Sequence, residues 1–264
     1  MFLLKLECAE DLRDLLIAEL WEAGVAGITE TPTSVQAFFD DSVDREALAA
    51  RFPGARIQDA EERDWVAESR EALQPMLVGR RFFLVPQWRS DPAPEGRFRI
   101  QVNSGLAFGT GAHESTRLCL QGLEEIVTPG VTAVDIGTGS GILAEAAKLL
   151  GAGRVIACDI DPLAIDVARD NFAVAGVSVE LFEGSIQQLQ DGIADVLIAN
   201  LSPDWLALLA PEFTRVLKVN GTALLSGLEA HDLGRVEESL RRSRLCVMKM
   251  SEENSWRALY LKQE

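Results

Sequence analysis

Three polar side chains stand at the carboxyl ends of apolar runs, and a glycine-rich turn follows the first of them. Val131 to Ile136 reads as a buried strand bearing Asp135. Gly137, Gly139 and Gly141 then make a tight turn, and Ile142 to Leu150 has the composition of a helix. A strand, glycine loop and helix in that order bring backbone N–H groups and the positive end of a helix close to a ligand, because glycine turns sharply and leaves room. A dinucleotide-binding loop places its third glycine one position later, where this chain has Ile142. The next apolar run, Arg154 to Asp159, ends in a carboxylate about 20 residues after the loop, suited to accept hydrogen bonds from ribose hydroxyls. Asp161-Pro162 behind it has the form of a helix cap and first turn. Gly184-Ser185-Ile186 follows the third run, where such sheets hold a base, although a plain turn would use the same residues. The fourth run ends at Asn200, beyond the strand ends where ligands of open α/β sheets collect; an amide carbonyl there can accept an N–H from an amine.

These groups need a parallel sheet to bring them to one edge. Strands are expected at 131–136, 154–158, 177–182, 194–199, 222–227, 245–250 and 256–262, with helices at 116–126, 142–150, 162–175, 203–217 and 231–242. The last two strands are separated by Ser251 to Ser255, too short for a crossover, so they should pair antiparallel. Upstream, Arg81–Pro86 and Phe98–Val102 read as strands around an Asp91–Gly96 turn. The first sixty residues read as a unit of their own with order βαββαβ: strands at 2–8, 27–30, 35–39 and 56–59, and helices at 10–22 and 44–52. This is the ferredoxin-like pattern. Residues 61–75 are rich in helix formers and end at Pro75, as a stiff linker would. The expected domains are therefore 1–60, a helical linker 61–75, and 76–264.

The chain of 264 residues carries 41 acidic and 25 basic side chains, a formal charge of −16. Nucleic-acid binding, which needs clustered Lys and Arg, is not expected; acidity suits a basic partner or serves solubility. No apolar run reaches membrane-spanning length, and Met1 to Cys8 lacks the features of a signal peptide. Cys8, Cys119, Cys158 and Cys246 have no metal-type spacing, and Cys158 and Cys246 read as small buried apolar residues in strands. The expectation is a cytoplasmic, reduced monomer with no metal and no membrane contact.

The motif Asp135-Ile-Gly-Thr-Gly-Ser-Gly141 resembles the first motif of class I S-adenosylmethionine-dependent methyltransferases, and a parallel sheet ending in an antiparallel hairpin is that superfamily's variant of the doubly wound fold. The loop Gly105-Leu-Ala-Phe-Gly-Thr-Gly-Ala-His-Glu-Ser-Thr116 is more restrictive. Together with Asp159-Ile-Asp-Pro162 and Ala199-Asn-Leu201, it is similar to the PrmA-type methyltransferases over the whole chain. That resemblance implies a ferredoxin-like recognition domain before a class I catalytic domain, S-adenosylmethionine as cofactor, and methylation of lysine ε-amines and the N-terminal amine of ribosomal protein eleven of the large subunit. It implies that Thr116, Gly137, Asp159 and Asn200 lie against the cofactor, with Phe108, Gly109 and Thr110 in the loop covering it. Asp135, Gly139, Gly141 and Ser185 complete the expected cofactor site, and Asn200 is the expected catalytic residue, its carbonyl aiming the lone pair of an amine at the methyl group. His113 falls in the same loop without being assigned as a base. Ser202-Pro203-Asp204 departs from the family's usual pattern after Asn200-Leu201 and adds a charge near the mouth. Alternatives are a lysine methyltransferase of another protein, such as an electron-transfer flavoprotein, and a non-catalytic binding protein with the same fold; a nicotinamide-dependent oxidoreductase fits less well because of Ile142.

Overall fold

The computed structural model describes residues 2–8, 16, 17, 19, 20, 23–25, 27–31, 34–59, 74–102 and 113–264. The chain divides into two compact units, Met1–Ala72 and Leu73–Glu264. The helix expected over 61–75 lies outside the described residues, apart from Gln74 and Pro75, which are not helical.

In the first unit, β1 (Phe2–Glu7), β2 (Gly27–Thr31), β3 (Ser34–Phe39) and β4 (Arg56–Asp59) form one sheet in the order β2-β3-β1-β4. Every pairing is antiparallel, which is the ferredoxin-like arrangement. Phe2 stands opposite Phe39 and stacks on it at 5.6 Å. Leu4, Leu6, Val35 and Ala37 continue that buried face, and Leu48 and Phe52 close it from the side of α1 (Arg45–Arg51). Asp44 caps α1 by accepting from the backbone of Glu46 and Ala47. Of the helix expected over 10–22, Leu16, Ile17, Glu19 and Leu20 are described and helical, with Leu20 fully buried.

The second unit begins with β5 (Met76–Val78), β6 (Phe82–Pro86) and β7 (Phe98–Val102). The short β5 carries no sequence signal of its own. The expected turn between β6 and β7 proves to be a crossover, because the two strands run parallel, Phe82 opposite Phe98. A connection of about a dozen residues, 87–97, is long enough for that return. The turn between β5 and β6 is held by Glu124, whose carboxylate accepts from the N–H groups of Arg80 at 2.9 Å and Arg81 at 2.8 Å.

The main sheet comprises β8 (Thr132–Ile136), β9 (Arg154–Asp159), β10 (Glu180–Glu183), β11 (Ala194–Asn200), β12 (Leu217–Glu229), β13 (Leu245–Glu253) and β14 (Trp256–Gln263). Their order is β10-β9-β8-β11-β12-β14-β13. Strands β8 to β12 pair in parallel, and β14 is antiparallel to both of its neighbours. Successive residues of a strand face opposite sides, and the two cores divide accordingly. Ala133, Val155 and Ala157 pack with α2 (Glu114–Ile126), α3 (Ile142–Leu149) and α4 (Pro162–Ala175). Val134, Ile156 and Cys158 pack on the other face with α5 (Pro203–Val216) and α6 (Leu233–Arg242). Helices on both faces of a mostly parallel sheet make this the doubly wound α/β fold of class I methyltransferases. Strand β10 starts at Glu180, later than the expected 177, and β12 starts directly after α5 rather than at 222. Cys158 is buried as expected, whereas Cys246 is half-buried on the edge strand, its thiol 3.0 Å from a Glu264 carboxylate oxygen.

One residue of α3 breaks its own pattern. Glu145 is 3% exposed and has no hydrogen-bond partner among the described residues; burial alone pushes its carboxyl up to about 8. The folded chain therefore keeps a proton here that the unfolded chain has released, and stability falls as pH rises from the unfolded value near 4.5 to about 8. Glu145→Gln should be worth little near pH 5 and raise Tm by roughly 5 °C near pH 8.5, measured by thermal unfolding at both values.

Candidate active site

The carboxyl ends of β8, β9 and β11 surround a cavity of about 570 Å³. Its lining includes Thr116, Gly137, Gly139, Asp159, Ser185 and Asn200, six of the residues expected from the sequence. Phe108, Gly109 and Thr110 lie outside the described residues. Asp135 and Gly141 stand elsewhere. Asp135 has the same strand parity as Ala133, so it points beneath the helices of one face and not into the cavity; it is 1% exposed and its Oδ2 accepts from Thr138 Oγ1 at 2.7 Å. Burial pushes its carboxyl up to about 7 against the Thr138 hydrogen bond. Gly141 caps α3 in the left-handed region, φ 84°, and a side chain there would meet the Phe172 ring at 2.6 Å. Both residues shape the loop from behind.

The glycine loop also uses its amides differently from the sequence expectation. Gly137 and Thr138 donate to the Cys158 carbonyl at 2.9 and 3.0 Å, and Gly139 donates to Asp159 Oδ2 at 2.9 Å. Gly141 closes the turn on the Thr138 carbonyl at 2.9 Å. A phosphate-binding loop leaves such N–H groups aimed at the anion. Here they tie β8 to β9, which suits a ligand held by carboxylate and apolar contacts and not one held by its phosphates.

Asp159 keeps acceptor capacity after these bonds, since Oδ2 takes Gly139 and Oδ1 takes the Asp161 amide at 3.1 Å, one donor to each oxygen. Asp161 itself is the cap of α4, accepting from Leu163 N–H at 2.9 Å ahead of Pro162. Ile160 between them is 62% exposed beside the cavity. Ser185 opens a short turn, its N–H donating to Gln188 Oε1 at 3.2 Å.

Asn200 sits at the last position of β11. Its Nδ2 donates to Thr116 Oγ1 at 3.2 Å, and its Oδ1 is buried with no partner among the described residues. Orphaned buried acceptors are rare in folded proteins, and this one adjoins the cavity. The departure after it leaves this amide in place. Pro203 starts α5, and Asp204 turns outward to an ion pair with Arg235 of α6, so its charge is not in the cavity lining.

Two tryptophans on the wall went unforeseen, Trp205 from α5 and Trp256 from β14. Because β14 runs against its neighbours, its first residue comes to the edge where the parallel strands end. His113 meets the Trp256 ring edge-on at 4.3 Å, while its Nδ1 is 2.8 Å from Ser115 Oγ and it forms the N-cap of α2. Arg117 pairs with Glu253 at 2.5 Å and Asn254 donates to Glu114 at 3.1 Å, so the start of α2 and the β13–β14 turn are joined at two points. Among the described residues no group of acidic, His and Cys side chains could hold a metal ion.

Residues 13–264 match the family described as Ribosomal protein L11 methyltransferase (PrmA). The chain belongs to this family. It is 39% identical over 219 residues to the ribosomal protein L11 methyltransferase of Symbiobacterium thermophilum, covering 83% of this chain and 72% of that one. The corresponding protein of Deinococcus radiodurans is 34% identical over 239 residues, 88% of this chain and 86% of the relative. Among solved structures, ribosomal protein L11 methylase from Lactobacillus delbrueckii subsp. bulgaricus superposes with a TM-score of 0.68 at 30% identity, covering 73% of this chain and all (100%) of that chain. Membership in this methyltransferase family agrees with a glycine loop whose amides are engaged internally.

Gly227 of β12 lets the site close. Its φ is +90°, and a Cβ would lie 2.2 Å from the Leu201 carbonyl oxygen, next to Asn200. Both the left-handed conformation and the backbone contact oppose a side chain. Gly227→Ala should cost about 2–4 kcal/mol in urea unfolding, with the Asn200 amide resonances shifted in NMR spectra.

Proposed function

We propose that this protein is an S-adenosylmethionine-dependent methyltransferase that modifies lysine ε-amines and the N-terminal amine of ribosomal protein L11. The observation that carries the reading is the Asn200 Oδ1 in the cavity wall, buried without a partner among the described residues. The cavity residues fit the cofactor on their own chemistry. Asp159 has lone pairs left for ribose hydroxyls and Ile160 gives an apolar face, while Gly137 lets Leu201 pack against the turn, since a Cβ there would strike Leu201 Cδ2 at 2.4 Å. S-adenosylmethionine, when bound, supplies an electrophilic methyl group on a sulfonium.

An amine attacks through its lone pair, so the lysine must arrive deprotonated. Enclosure favours this because desolvation penalises an ammonium. Asn200 Oδ1 then accepts one N–H of the neutral amine and fixes the direction of the lone pair, which is positioning rather than proton abstraction. Thr116 holds the other end of that amide and fixes its orientation. Trp205 and Trp256 offer apolar walls for a lysine stem. No side chain in the cavity is assigned as a general base; water beyond the mouth takes the proton.

The relatives' names support L11 as substrate, and they lend nothing to the flavoprotein or non-catalytic alternatives. The formal charge of −16 supports encounter with a basic ribosomal protein. In this reading residues 1–60 recognise the substrate, residues 76–264 catalyse, and the enzyme acts as a cytoplasmic monomer without binding nucleic acid. No helix among the described residues is long and apolar enough to cross a membrane.

The test is incubation of the purified chain with methyl-labelled S-adenosylmethionine and purified L11, read by intact and peptide mass spectrometry. Whole-methyl mass steps on lysines and the N-terminus are expected; cofactor binding without transfer would refute the substrate. Asn200→Ala should lower kcat about a hundredfold or more while Asp159→Ala weakens cofactor binding, a split read by single-turnover kinetics and calorimetry.

A further inference from the structure

Glu145 does not face the catalytic cavity. It lines a separate pocket of about 230 Å³ where β7, α3 and α4 meet, walled by Gln87, Arg99, Gln101, Val102 and Asn171. A carboxyl that is 3% exposed, with no partner among the described residues, is costly to ionise, and it gains its charge where a cationic ligand compensates it.

The neighbouring polar groups show what that ligand must bring. Gln101 Nε2 already donates to the Gln87 carbonyl at 2.8 Å, and Asn171 Nδ2 to the Ser140 carbonyl at 2.8 Å. One N–H of each amide is engaged in this way, and the amide oxygens, which have no partner among the described residues, can join Glu145, ionised by an ammonium beside it, as acceptors. Three acceptors match the three donors of a primary ammonium. Arg99 has the opposite character. Its Nε and Nη2 donate to the carbonyls of Asp91 and Arg89 at 3.1 and 2.8 Å, and Nη1 has no partner among the described residues. No ion pair joins Arg99 to Glu145, and burial is the sole influence on the Glu145 carboxyl, so the cation and the carboxylate are presented to the pocket separately.

We infer that this pocket binds a small free zwitterion of the amino-acid class, its ammonium received by Glu145, Gln101 and Asn171 and its carboxylate by Arg99. The volume admits a molecule of that size and not a nucleotide. This site is independent of methyl transfer.

Isothermal titration of the full chain with L-alanine and L-leucine tests it, with n-butylamine and N-acetyl-L-leucine as probes lacking one of the two charges. Saturable binding of an amino acid is expected, weakened at least tenfold by Glu145→Gln and by loss of either charge from the probe. Varying the probe keeps the Arg99 assignment testable even if a substitution at Arg99 unfolds the 89–91 turn. Methyl transfer should survive Glu145→Gln unchanged. Absence of binding, equal binding of n-butylamine, or binding indifferent to Glu145→Gln would each overturn the inference.

Discussion

Three consecutive amides of the glycine loop, those of Gly137, Thr138 and Gly139, are held by the last two residues of β9. Two parallel strands thereby end in a common knot, and everything in the cavity is placed relative to it. Asp159 is fixed because it receives one of these amides, and α3 starts where it does because Gly141 closes the same turn. Thr138 reaches down from the knot to Asp135, so the buried carboxyl is bonded to the loop whose shape it supports. The glycines matter here for what they allow the backbone to bond with, more than for what they leave open to a ligand.

The opposite wall depends on a second close approach. Strand β12 passes the end of β11 at Gly227, and the Leu201 amide is bonded to the Ser226 carbonyl at 3.0 Å. Asn200 is thus held by backbone pairing on one side and by Thr116 on the other. A side chain restrained at both ends can leave one acceptor bare only if the surrounding fold compensates the cost.

Much of this was legible in the sequence, for identifiable reasons. Strands β8, β9 and β11 are continuous apolar runs with polar residues at their carboxyl ends, and Pro162 and Gly176 bracket α4, so periodicity and caps agree. Motif position puts Asp135 toward the cofactor, whereas the strand parity it shares with Ala133 puts it on the helix-covered side. The parallel pairing of β6 and β7 was hidden by Asp91-Pro-Ala-Pro-Glu-Gly96, which has turn composition but spans a crossover. Trp205 and Trp256 could not be read at all, since their place depends on which end of an element reaches the cavity. Glu145 was visible as a charge within the otherwise small and apolar run Ile142 to Ala147, the one sequence sign of the second pocket.

The placement of β14 between β12 and β13 sets an order of assembly. Strand β13 precedes β14 in the chain yet has no seat on the sheet until β14 has docked against β12. The parallel half of the sheet can form from β8 to β12 without either of them, but Trp256 and the two links from the β13–β14 turn to α2 arrive only with the last strand pairing. Such non-local pairings are slow steps. Before that docking the glycine loop can be complete while the cavity wall is unfinished, and β12 is then the unpaired edge open to association with other chains.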